Sequence, residues 1–236
     1  MYEIPLLERE LVLEDFGDGL VLKQLAVTDS ERIEEFSRFV FDIYREEFFR
    51  RFKWRATEQD FQDMLEEEMS YCHRGAYFAI EHTDTQQLMG TIRGIAYEDG
   101  VHFCFEDITG LRIPDLAEQE GVKPEQIMHV SQVAVAETLL SALGYPPGRS
   151  RALLERLFAH MCEAFLENDI QMIVAETDPL VERRYAQIGA RMTPRSEIFA
   201  EPPPFLIGAR VSSARVSAIT SSTRFPRVTV RNKQVA

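Results

Sequence analysis

Two short stretches of the chain bring together residue types that could do chemistry. Gly148-Arg149-Ser150-Arg151 opens a long apolar-periodic segment, so a glycine and two guanidinium groups fall where a helix presents its unpaired N–H groups. Two cations at a helix start oppose the helix dipole unless an anion joins them, and a diphosphate suits such a loop. The second stretch runs from Asp178-Pro179 to Gly189 and carries Tyr185, a phenol able to give up a proton. Candidates to remove one are His129, Glu106 and Glu98. Each has a structural alternative: Tyr185 as an amphipathic core tyrosine, His129 as a satisfied core histidine.

The elements that must position these residues follow from periodicity. Leu20 to Val27 alternates like a strand, and Thr28, Asp29 and Ser30 offer cap oxygens for a helix toward Phe49, with Ile33, Phe36, Val40, Ile43 and Tyr44 on one face. A second helix is predicted from Thr57 to Met69, and Tyr77–Glu81 with Leu88–Tyr97 form a hairpin. Pro114, Gly121 and Pro124 break residues 98–126 into a short helix and loops. Met128–Val135 reads as a strand. From Ser150 the apolar positions Leu153, Leu154, Leu157, Phe158, Met161, Cys162, Phe165 and Leu166 give a helix with one buried stripe. Gln171–Glu176 is a buried strand, Pro179 suits the first turn of the Tyr185 helix, and Arg191–Arg210 supplies two closing strands around Pro202-Pro203-Pro204.

At 236 residues, 45% hydrophobic and 28% charged, the chain can bury a substantial core. A net charge of −13 argues against nonspecific nucleic-acid binding. No apolar run reaches the length of a membrane span and no signal-peptide layout opens the chain. The three cysteines, Cys72, Cys104 and Cys162, read as reduced thiols of a cytoplasmic protein, and the five histidines have no metal-site spacing. From Gly208 on there are six basic residues and no acidic one, so the chain before it carries −19. With its serines, 208–236 is expected to be a flexible basic tail on a domain spanning 1–207.

An order of helices, hairpin, strand, helix, strand, helix and closing strands is an α/β (α+β) arrangement on a mixed, largely antiparallel sheet flanked by helices. Leu88-Met-Gly90-Thr-Ile-Arg93 resembles the strand that begins with a Gly in GNAT-type N-acyltransferases. Val133-Ala134-Val135, followed by Gly148-Arg149-Ser150-Arg151, is similar to their acyl-donor strand and Q/R-x-x-G-x-G/A loop, with Tyr145 in place of the Gln or Arg and Ser150 in place of the second Gly. Asp178-Pro179 through Tyr185-Ala-Gln-Ile-Gly189 resembles their last core helix, with Tyr185 at the position often used as general acid. The resemblance covers about residues 20 to 207.

The long connection from Glu137 to Pro147 resembles the branch that takes long-chain donors, the N-acyl amino acid synthases and the autoinducer (acyl-homoserine-lactone) synthases. Arg45, Phe49 and Trp54 are similar to the Arg–Phe–Trp series of the latter, with the Trp offset by one, and Arg93 stands where they carry an Arg after the Gly. Where they carry Glu-x-Ser-Arg, this chain has His129-Val-Ser131-Gln132.

The resemblance implies transfer of an acyl group, long-chain by these insertions, from acyl-CoA or an acyl carrier protein to a primary amine such as an amino acid, without a metal. Val133, Ala134, Val135, Gly148, Arg149, Ser150 and Arg151 would hold the donor; Arg45, Trp54 and Arg93 would contact substrate. Arg50, Arg51, Lys53 and Arg55 are either a solvated face or a landing site for an acidic carrier protein. The alternatives are an autoinducer synthase-like enzyme and a non-catalytic module that senses acyl thioesters.

Overall fold

A computed structural model describes residues 9–177, 179–197 and 210–220. The chain opens with an antiparallel pair, β1 (Leu11–Asp15) and β2 (Leu20–Gln24), and β1 is a short edge strand with no counterpart in the sequence expectation. Helix α1 (Ser30–Phe52) starts where Asp29 accepts the Arg32 N–H at 3.1 Å and stops at Lys53, whose left-handed backbone returns its N–H to the Phe49 carbonyl. Helix α2 (Glu58–Tyr71) begins with a capping box between Thr57 and Asp60. The hairpin β3 (Gly75–His82) and β4 (Leu88–Ala96) follows as expected.

The 98–126 insertion folds into two helices, α3 (Cys104–Thr109) and α4 (Ile113–Glu120), rather than one helix and loops. Then come β5 (Ile127–Val135), a short α5 (Glu137–Ala142) inside the long connection, α6 (Arg149–Glu167), β6 (Met172–Thr177) and α7 (Pro179–Gln187). The chain continues through β7 (Thr193–Glu197), β8 (Arg210–Arg215) and α8 (Val216–Thr220). Pro202–Pro204 and 221–236 lie outside the described residues.

The strands form one sheet in the order β1-β2-β3-β4-β5-β6-β8-β7, antiparallel except for the parallel β5–β6 pair. The expected boundary at residue 208 is corrected: β8 pairs with β6 over six residues, from Thr177↔Arg210 to Met172↔Arg215. Its serines are buried, not solvated, because their hydroxyls find partners inside: Ser212 donates to Glu182 at 3.1 Å and Ser213 accepts from Arg195 at 2.7 Å.

Helices cover both faces. On one, Leu153, Leu157, Phe158, Met161 and Phe165 of α6 meet Ile92, Met128, Val130 and Ile173, with Tyr185 and α8 completing the layer. On the other, Ile33, Phe36 and Val40 of α1 pack on Tyr77, Ala79 and Leu88, while α3 and α4 cover Ile95, Ile127, Met172 and Val174. Among the described residues no helix is long and apolar enough to cross a membrane.

Candidate functional site

β5 and β6 are paired only at their beginnings, through Ile127↔Met172, Met128↔Ile173 and His129↔Val174. Beyond that register β5 stays with β4 and β6 stays with β8, so the sheet forks between Val130–Val135 and Ala175–Thr177. A bulge in the β4–β5 ladder between Thr91 and Arg93 sharpens the divergence. Gln132 there takes a left-handed backbone, φ 53°, and the Thr91 hydroxyl holds its carbonyl at 3.0 Å. Such a conformation costs a non-glycine residue about 1 kcal/mol or more and persists only where neighbours hold it.

His129, the last residue of β5 paired with β6, lies at the base of the fork. Its Nε2 is 2.5 Å from Glu176 Oε2, and its ring packs on Phe103 and Phe105. Burial alone would raise the Glu176 carboxyl, but the imidazole and its hydrogen bond overcome that and hold it below the ordinary value. With Glu176 ionised, Nε2 is the nitrogen that donates to it; the other ring nitrogen, Nδ1, is buried and has no partner among the described residues. Cys104 Sγ stands 3.8 Å from the other Glu176 oxygen.

Behind the bulge is a second buried cluster. Glu68 of α2 binds Arg93, accepts the Tyr77 hydroxyl and accepts Gln132 Nε2 at 3.2 Å. Arg93 also donates from Nε to Ser131 Oγ at 2.9 Å. Burial works against the guanidinium charge, yet the Glu68 carboxylate raises the Arg93 pKa. This cluster ties α2 to the bulge and fixes Gln132.

The remaining candidates fall as follows. Tyr185 is buried in α7 against the Phe158 ring, with centroids 5.1 Å apart, and burial, then Tyr44 and Glu176, push its phenol pKa up. Val133, Ala134 and Val135 form the end of β5, paired with β4 but not with β6; Tyr44 of α1 donates its hydroxyl to the Val133 carbonyl at 3.3 Å. Gly148 has φ 85° with open space where a Cβ would stand, which suits a close backbone approach.

The arginines of the basic loop are engaged elsewhere. Arg149 pairs with Asp18 at 2.7 Å and lies over Phe16, while Arg151 binds Glu155 and the Gln187 carbonyl. What α6 leaves open in its first turn is backbone, at Ser150 and Arg151.

Glu106 is corrected from base to structural acid. Its two oxygens accept the N–H groups of Phe103 and Ile113, so it caps α3 and ties α3 to α4. Glu98 pairs with Arg74 at 3.4 Å. Arg93 is in the buried cluster, but Arg45 is half-exposed and paired with Asp42, and Trp54 packs edge-on against Phe48.

Sequence reasoning missed Glu176, Glu68, Gln132 and Cys104. Glu176 had a signal, a carboxylate ending an apolar strand. Glu68 had none, because it is one of three consecutive glutamates on an amphipathic helix. Among the described residues no group of three or more His, Cys, Asp or Glu side chains is arranged to hold a metal ion.

The sequence matches no protein-family model and none of the curated proteins. Solved structures do resemble it. FeeM, an N-acyl amino acid synthase from uncultured soil microbes, superposes with a TM-score of 0.57 at 17% identity, over 84% of this chain and 90% of that one. A GNAT-family acetyltransferase from Staphylococcus aureus Mu50 gives 0.52 at 15% identity, over 84% and 99%. An uncharacterized protein from Bacillus halodurans gives 0.51 at 10% identity, over 90% and 93%. At these identities the likeness establishes the fold.

Proposed function

We propose that this chain, which has the GNAT fold, is an N-acyltransferase that moves an acyl group from a thioester to a primary amine. What carries this reading is the fork after His129↔Val174 with the His129–Glu176 pair at its base. A splayed strand leaves backbone N–H groups unpaired, and these can polarise a thioester carbonyl laid along Val133–Val135. The first turn of α6 offers its N–H groups and dipole to the donor's phosphates, whether on coenzyme A or on the phosphopantetheine of a carrier protein. A long-chain donor belongs to this reading, with the α5 connection and the α3–α4 insertion as the segments that would border its acyl chain.

His129 Nδ1 takes a proton from the amine, whose nitrogen attacks the carbonyl; the N–C bond forms as the C–S bond breaks. Tyr185 returns a proton to the leaving thiolate. Its raised pKa keeps the phenol protonated, the form a general acid needs, while making it a weaker acid. A covalent acyl-enzyme is disfavoured. Burial pushes the Cys162 thiol up to about 12, and burial with Glu176 and Glu67 does the same to Cys104, so at neutral pH neither is a thiolate.

Thiol release on mixing acyl-CoA donors with an amine panel tests the proposal. Turnover is expected, with a palmitoyl donor favoured over an acetyl one. Tyr185→Phe is expected to lower kcat by about 10²–10⁴-fold with donor affinity nearly unchanged. Donor binding with no thiol release from any amine would make the protein a thioester-sensing module instead.

A further inference from the structure

We infer that Gln132 binds the acceptor: its side-chain oxygen takes the N–H that the reacting amine keeps, while His129 takes the proton that the amine gives up. This rests on the acyltransferase reading and deepens it, because it makes one residue responsible for telling primary from secondary amines.

The β4–β5 ladder places Gln132 on the same face as His129. Thr91 pairs with Ala134 and Arg93 with Ser131, so three steps along β5 stand against two along β4. Gln132 falls in that bulge with a left-handed backbone, φ 53°, and a bulge re-aims a side chain. Its Nε2 reaches Glu68, which also binds Arg93, and Arg93 donates to Ser131. Gln132 therefore shares the face of Ser131 rather than the opposite one. His129 lies two residues before Ser131, and alternation puts it on that face as well.

Each of the two side chains is gripped by a carboxylate through one nitrogen. Glu176, on the β6 side of β5, engages His129 Nε2 at 2.5 Å. Glu68, bound to Arg93 on the β4 side, accepts Gln132 Nε2 at 3.2 Å. Glu68 also accepts the Tyr77 hydroxyl, and an acceptor of this kind takes the nitrogen of an amide, not its oxygen. The orientation of Gln132 is thereby set. One buried atom of each side chain is left without a partner among the described residues: His129 Nδ1 and Gln132 Oε1. Because the two side chains are held from opposite sides, these atoms turn inward over β5. Three residues of strand separate their backbones by at most about 10 Å, a gap that two side chains and a bound nitrogen can fill.

The nitrogen of a primary amine carries a hydrogen for each. As the N–C bond forms and the C–S bond breaks, one proton passes to His129 Nδ1. The other hydrogen stays on nitrogen, becomes the N–H of the amide product and remains on Gln132 Oε1. A secondary amine has a single N–H, so either the base or Gln132 faces carbon, and a buried acceptor left unpaired is costly.

The test measures kcat/KM by thiol release for n-butylamine and N-methylbutylamine with one fixed acyl-CoA donor. The unaltered protein is expected to favour the primary amine by about tenfold or more. Gln132→Met should lower kcat/KM for n-butylamine by about two- to tenfold, the range of one neutral hydrogen bond, and leave that for N-methylbutylamine nearly unchanged. Gln132→Lys keeps a donor for Glu68 without the acceptor oxygen, and should reduce the primary-to-secondary ratio in the same way. Neither variant branches at Cβ, so the left-handed backbone is no more strained than before, and urea unfolding checks that the fold is kept. Equal losses with both amines would mark Gln132 as structural and overturn the inference. An unchanged ratio in the folded variants overturns it too, and either result leaves the acyltransferase reading standing. Absence of thiol release by the unaltered protein with every amine overturns that reading, and this inference with it.

Discussion

A histidine is set apart from its neighbours here by what its two nitrogens do. His129 and Glu176 sit on adjacent parallel strands, and the carboxylate engages Nε2 while Nδ1 is buried without a partner among the described residues. Because the folded Glu176 pKa is lowered, its contribution to stability is fully present above the unfolded carboxylate value of about 4.3 and is lost as pH falls through the folded value. Glu176→Gln should therefore destabilise the protein by about 1–3 kcal/mol at pH 7 and by less near pH 3, as read by urea unfolding at the two pH values. An equal deficit at both would mean that the pair contributes no pH-dependent stability. The sequence offered His129 as one base among several and could not pick it out. The partner that distinguishes it lies 47 residues further along the chain. Glu106, another of those candidate bases, turned out to be a cap.

Among the elements, the long helix was the most legible and its seating on the sheet the least. The stripe from Leu153 to Phe165 is strictly periodic, and all of it that the sequence marked as buried is buried except Leu166. How closely α6 lies on β4 depends on Gly94, where a Cβ would overlap the Phe165 ring and the Met128 sulfur. Gly94→Ala should cost about 1–3 kcal/mol by overpacking, with Phe165→Leu in the same chain recovering part of it; thermal unfolding of the single and double variants reads both. A harmless Gly94→Ala would mean α6 has slack against the sheet. Only the three-dimensional packing explains this glycine, since nothing in its flanking sequence signals a turn or a bulge.

At the level of the molecule, the last strand decides the sheet's completeness. β8 is paired on both sides, with β6 along its full length and with β7. A chain ended at Gly208 keeps every residue of the expected 1–207 domain but loses β8, exposing the β6 ladder and leaving β7 without a neighbour. Such a chain should lose cooperative unfolding in urea and expose apolar surface to dye. Cooperative unfolding at the full-length midpoint would show that the domain does end near residue 207. The boundary was misread because six basic residues and several serines carry the compositional signature of a solvated tail. Burial of a serine in a sheet depends on partners such as Glu182 and Arg195, which composition does not register.

What the sequence determined by itself was the periodic frame: the helices α1, α2 and α6, the β3–β4 hairpin and the β5–α6–β6 order, on which the motifs resembling GNAT acyltransferases lie. Periodicity is a local property, written into side chains a few positions apart. The fork, the bulge at Gln132, the His129–Glu176 pair and the burial of Glu68 against Arg93 were decided only by tertiary structure. Each depends on which strands stop pairing and on charges that meet across 25 to 47 residues of chain. A run of glutamates reads the same whether it faces water or an arginine, and only the packed sheet decides which.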